Sequence, residues 1–237
     1  MITIEDLFKR LAQGALQNTS LVTEDGTTIE EESKNKVLIG INEALTRLHT
    51  KFILKEKELY LEIQEGRTTY PLVQKFAFQS YEETEKFNPF IMDSIDDPFK
   101  NDVIKILRVY DNLGNERILN DPRHPSTSVF TPSPEILQLR RTWPRQVLNV
   151  VYQAKHKEVG LGENQEQEVY IPDSLMGALD SYTAYWIFNN INNQESIVTA
   201  ANQLTMFSSL CDEAVMTDSV NSSSSYSSDK FFKNGWV

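Results

Sequence analysis

Cysteine is almost absent: Cys211 is the sole one in this chain of 237 residues. An intramolecular disulfide is therefore excluded, as is any zinc site built from several thiolates. In its setting, FSSLCDEAV, it reads as a small packed hydrophobe. Histidine is nearly as scarce. His49, His124 and His156 each stand alone, with no second His or Cys at metal spacing, so each reads as structural or surface and no metal or cofactor is expected. Basic residues are outnumbered, 23 against 34 acidic ones, which leaves a net charge of -11. Tight charge-driven binding to nucleic acid needs the opposite surplus. No apolar run approaches the roughly 20 residues that span a bilayer, and the opening MITIEDLFKRLAQG lacks the basic-then-apolar layout of a signal peptide. Synthesis and residence in the cytosol are the expectation.

Catalytic signatures are also missing. GLGENQ (Gly160 to Gln165) has two glycines but no Lys-Ser/Thr partner and runs into acidic residues, so it is a loop and not a phosphate cradle. Asp96 and Asp97 in SIDDPF could pair as glycosidase carboxylates, yet adjacent aspartates before a proline fit a turn better. No enzyme is expected.

What is there patterns well. With 40% hydrophobic and 24% charged residues, the chain has the composition of an ordinary globular protein. TIEDLFKRLAQGALQ opens on Thr3 as a cap with Asp6 three residues on, and places Leu7, Phe8, Leu11, Ala15 and Leu16 on one helical face. A second helix is predicted in TTIEEESKNKVLIGINEALTRLHTKF, with Glu30, Glu31 and Glu32 in its first turn and a stripe of Val37, Ile41, Leu45, Leu48 and Phe52. The period then changes to two. KELYLEIQEGRTTYPL reads as a β-hairpin turning at EGR, and DVIKILRVYD, RILN, TSVFTPSP, EILQLRR and RQVLNVVYQAKHK read as further strands. QSYEETEKFNPFIMDSIDDPF reads as a long connection between them that carries one short helix. Helical spacing returns at YIPDSLMGALDSYTAYWIFNNI, started by Pro172 and Asp173. A last helix follows with Ile197, Ala200, Ala201, Leu204, Phe207, Leu210, Cys211 and Ala214 on one face.

The predicted fold is α+β: a four-helix bundle from the N- and C-terminal helix pairs (residues 1–54 and 170–219), an inserted antiparallel β domain (55–169), and an extended C-terminal arm (220–237). The arm, NSSSSYSSDKFFKNGWV, is serine-rich with aromatic residues toward its tip. Its serines offer too little apolar area to offset an ordering cost of roughly 1–2 kcal/mol per residue, so the arm reads as reach. Tyr226, Phe231, Phe232, Trp236 and Val237 read as its grip on a partner; a strap packed on the chain's own body is the other reading. Arg140, Arg141, Trp143 and Arg145 in LRRTWPRQ form a second candidate, either an RNA-stacking patch or a subunit interface, and the acidic whole favours protein.

The order of these segments, LIGINEALTRLH, LYLEIQEGRTTYPL, VIKILRVYDNLG, PRHPSTSVFTPSP, NVVYQA and VYIPDSLMGALDSYTAYWIF, resembles the head-to-tail adaptor (connector) proteins of tailed bacteriophages. The resemblance spans residues 1 to 215 and lies in ordered pattern, not in an invariant motif. SYEETEKFNPFIMDSIDDPFK and the serine-rich arm depart from the simplest members. It implies a structural virion protein assembled as a ring of about twelve copies, seated beneath the portal, continuing the DNA channel and offering a platform for the tail. Its partners would be other copies, the portal and neighbouring neck or tail rings, with DNA passing unbound and no membrane involved. A different class remains open: a carbohydrate- or receptor-binding β module of a phage tail, using Tyr81, Phe87 and Phe90.

Overall fold

A computed structural model describes residues 2–80, 88–124, 127–141, 146–160, 168–191, 193–217 and 219–220. Its helices are α1 (Ile4–Gln13), α2 (Lys34–Lys51), α3 (Met176–Asn189) and α4 (Gln194–Met216). Its strands are β1 (Ile2–Thr3), β2 (Glu56–Glu62), β3 (Thr69–Pro71), β4 (Ile91–Met92), β5 (Val103–Tyr110), β6 (Glu116–Arg117), β7 (Val129–Ser133), β8 (Ile136–Leu139), β9 (Val147–Ala154) and β10 (Glu168–Val169). The chain divides into two compact units, one from Met1–Phe52 with Glu158–Val237 and one from Ile53–Lys157.

The helical unit corrects the expected four-helix bundle. The fold is α+β, but its described residues hold four helices and ten strands in three antiparallel sheets, so it is richer in sheet than a bundle with a β insert. Dense helix packing runs from α2 to α3 to α4. The short α1 is instead continuous with β1, which pairs antiparallel with β10. The Thr3 hydroxyl accepts a hydrogen bond from the Asp6 amide at 3.2 Å, satisfying one of the orphan donors at the start of α1. Across the unit, the Arg10 side chain reaches Asp180 of α3 at 2.6 Å.

α3 explains the layering. It carries a single charged residue, Asp180, and is apolar nearly all round, the pattern of a helix covered on both sides. Toward α2, a Cβ added at Gly40 would lie 3.2 Å from the Trp186 ring, so a larger residue there would push that ring away by a few tenths of an ångström. Toward α4, the Tyr182 and Phe207 rings meet at 4.9 Å. α2 begins later than its glutamates suggest: Glu31–Ser33 form a 3-10 turn. The preceding residues are taken by a tight turn in which the Glu30 amide donates to Leu21 and the Asp25 carboxylate accepts from Thr27. Ile29, 1% exposed, plugs that turn into the core.

The other unit holds a five-stranded sheet in the order β4-β2-β9-β5-β6 and a three-stranded sheet in the order β3-β8-β7. In β2 the alternation works as read, with Leu59 and Leu61 buried and Tyr60 exposed. The predicted hairpin does not form. β2 pairs with β4 and β9, whereas β3 pairs with β8 in the other sheet. Gly66 turns the chain at φ 76°, and the Tyr70 hydroxyl then holds the corner, accepting from the Gln64 amide at 3.0 Å and donating to the Arg67 carbonyl at 2.9 Å. Burying Tyr70 in the core, 0% exposed, fixes which sheet its strand can join. Ile91–Met92, read as part of a connection, adds an edge strand beside β2. Among the described residues no helix is long and apolar enough to cross a membrane.

Candidate functional site

Several large apolar side chains of α4, Ile197, Val198, Leu204, Met206, Val215 and Met216, are exposed among the described residues. The Asn193 side chain caps this helix, accepting from the Ser196 amide at 2.7 Å. Ser196, Ala200, Phe207, Cys211 and Ala214 are buried along it. The sequence puts Ile197, Ala201 and Leu204 on that same face, and the structure does not: Ile197 is 58% exposed, Leu204 37%, and Ala201 is exposed too. The apolar stripe is wider than the face of α3 that covers it. Ile197, Ala201, Leu204, Ser208 and Val215 each follow by one residue a buried or half-buried position, which sets them about 100° around the helix as a second row. Their spacing of four, three, four and seven residues is the heptad spacing by which a further helix or surface packs.

This outer row is also electrically bare. From Ser196 to Cys211 there is no Asp, Glu, Lys or Arg, in a chain whose net charge is -11. Ser208 in the row, and Thr199, Thr205 and Ser209 beside it, donate their hydroxyls to helix carbonyls one turn back at 2.9–3.1 Å. The face therefore behaves as more apolar than its composition suggests. Charge resumes at its end, where Asp212 pairs with Lys51 of α2 at 3.2 Å. Burial pushes the Cys211 thiol up, keeping it an inert packed group.

A second polar constellation lines a groove of about 400 Å³ beside β2. Lys57 sits 3.2 Å from Asp97 and 3.1 Å from Asp102, and the Tyr152 hydroxyl donates to Asp102 at 2.9 Å. Burial works against the Lys57 ammonium, but its bonds to Asp102 and Asp97 outweigh it and push its pKa up. Tyr152 is pushed up by burial and by the negative charge of Asp102. Both groups hold their protons at neutral pH, the reverse of what a general base or amine nucleophile needs. The arrangement acts as a clamp, tying Asp97 and Asp102 to β2 and β9.

The residues singled out from sequence fare unevenly. Arg140 and Arg141 are exposed at the end of β8, with the Arg140 guanidinium 5.5 Å from the Phe130 ring centre. Trp143 and Arg145 lie outside the described residues, as do Tyr226, Phe231, Phe232, Trp236 and Val237 of the arm. Phe90 is 0% exposed, stacked on Phe76 at 4.7 Å and covered by Arg67 at 4.5 Å, so it is core and offers no glycan a platform. Tyr81 and Phe87 are outside the described residues. His49 is buried, while His124 is exposed, 3.2 Å from Asp121. Among the described residues no group of three or more His, Cys, Asp or Glu is placed to hold a metal ion. The outer row of α4 was missed, although the uncharged run through its middle was a visible signal. Compared with known proteins, the chain matches no family model and no curated protein.

Proposed function

We propose that this chain is a structural subunit of a tailed bacteriophage: a ring-forming adaptor that docks beneath the portal, continues the DNA channel and supports the tail. The ring rests on one observation, the outer row of α4. An acidic chain repels copies of itself wherever charged faces meet, and a face with no charge over sixteen residues, Ser196 to Cys211, removes that repulsion where it most matters. Exposed Ile197, Leu204 and Val215 supply the apolar area that a heterologous contact between neighbouring copies would bury. Placement in the virion rests on the resemblance of residues 1 to 215 to adaptor proteins. The net acidic charge suits a channel through which DNA slides without sticking. In this reading the C-terminal arm reaches the portal or an adjacent ring, and Tyr226, Phe231, Phe232, Trp236 and Val237 anchor it there. Arg140, Arg141, Trp143 and Arg145 stand as further interface residues.

The test is to mix the purified chain with the portal of the phage that encodes it and image the product by negative stain. A second ring stacked on the portal is expected. Folded protein that stays monomeric and leaves the portal unchanged would remove the proposal.

A further inference from the structure

We infer that the corner between the two sheets of the β unit is a binding site for a single oxyanion group, a carboxylate or a phosphate. Ser128 is its floor. The residue is 4% exposed, and its hydroxyl oxygen is fully buried with no hydrogen-bond partner among the described residues. An unpaired buried hydroxyl is costly, so a partner that arrives from outside is the economical explanation for it. Ser128 lines a small, partly open pocket together with Arg117, Thr127, Arg140, Arg141 and Gln146, with room for about one water-sized atom. One oxygen of a ligand fills that room, and the rest of the group must sit outward among the arginines.

The three cations are placed differently. Arg117 is oriented by Asp111, 8% exposed, at 3.3 Å. The Arg140 guanidinium lies 5.5 Å from the Phe130 ring centre, a cation–π contact that uses none of its N–H donors. Neither Arg140 nor Arg141 has an ion-pair partner among the described residues, a notable vacancy of negative charge on a chain this acidic. Planar guanidinium forks that line one pocket match the oxygens of a carboxylate or phosphate, which accept several donors at once. A chloride ion offers no such divergent acceptors. The α4 row takes no part in this site, and the isolated chain suffices to test it.

The test is thermal unfolding and calorimetric titration of the full chain with sodium phosphate or sodium acetate, against sodium chloride at matched ionic strength. Phosphate, acetate or both should raise the melting temperature above the chloride control. The stronger anion tells a phosphate source from a carboxylate side chain. Arg141→Gln should weaken that anion by about tenfold, the scale of one charged hydrogen bond. Ser128→Ala gives a readout that a structural role would not: in chloride it should match or exceed the wild type in stability, because it deletes an unpaired buried polar atom, while in the stabilising anion it should fall behind. Equal shifts in all three salts, or a Ser128→Ala protein less stable in chloride, would mean that the pocket holds an ordered water only and would overturn the inference.

Discussion

Two lysines on the outer row of α4, Ile197→Lys with Leu204→Lys, should abolish assembly and leave the subunit folded. In the isolated chain these side chains are 58% and 37% exposed. Complete burial of such a side chain is worth about 1.5–3 kcal/mol. The fraction left for a neighbour to cover is then about 1–2 kcal/mol at Ile197 and about 0.5–1 kcal/mol at Leu204. Replacing both forfeits that gain and forces two ammonium groups against an apolar partner, which adds a desolvation cost of at least a further 1–2 kcal/mol on the scale of about 1–3 kcal/mol per imperfectly satisfied polar group. A loss of about 3 kcal/mol per contact is more than a hundredfold in association, since about 1.4 kcal/mol is tenfold. The monomer has little to lose. The part of each side chain already covered in the subunit is what the monomer could lose, and lysine stems lying along the helix surface keep much of that contact. Sedimentation velocity reads assembly, and a urea midpoint reads folding. Leu113→Lys, at a turn residue that is 81% exposed, is the control that adds charge elsewhere. A double variant that assembles like the wild type refutes the reasoning, and so does one that unfolds, because the outer row would then be core.

Three further outcomes follow from the geometry. Tyr152→Phe deletes the bond to Asp102 while Lys57 keeps its own, so the urea midpoint should drop by the equivalent of about 1 kcal/mol with the slope unchanged; no drop would mean that the clamp adds nothing. Burial pushes the Asp180 carboxyl up even though Arg10 pulls it down, so its contribution to stability is greatest below the unfolded value near 4 and falls as pH rises through the folded value. Relative to the wild type, Asp180→Asn should therefore gain stability as pH rises from below to above the unfolded value near 4 in paired chemical melts; the opposite trend would show that the Arg10 pair outweighs burial. Removing residues 229–237 should leave the melting temperature unchanged and weaken portal binding, whereas a lowered melting temperature would identify the arm as a strap on its own body.

What could be read from sequence was what local chemistry decides. Thr3 and Asp6 fix the start of α1 within three residues, and Val37, Ile41, Leu45 and Leu48 carry a period that only a helix satisfies. Partnership was not legible. EGR does mark a turn, but nothing local says that Tyr70 will be swallowed by a core most of whose members lie more than a dozen residues away, taking its strand into another sheet. The bundle failed for a similar reason. Pairing of Ile2 with Val169 is a backbone event that leaves no side-chain signature in either two-residue strand. On α4 the apolar period was correct and the conclusion was not, because a wheel shows how wide a stripe is and not how much of it a neighbour covers. That surplus is where the proposed function sits. The Ser128 pocket and the Lys57 clamp join residues from distant strands, and only the folded β unit brings them together.

The most direct measurement places a photo-crosslinking residue at Leu204 and mixes isotopically heavy and light protein before illumination, with peptide mass spectrometry as the readout. If α4 joins neighbouring subunits, heavy–light crosslinked peptides should form from Leu204 in the assembled protein and vanish on dilution to monomer. Assembly that proceeds with no heavy–light crosslink from that position, or crosslinks that stay within one chain, would contradict it.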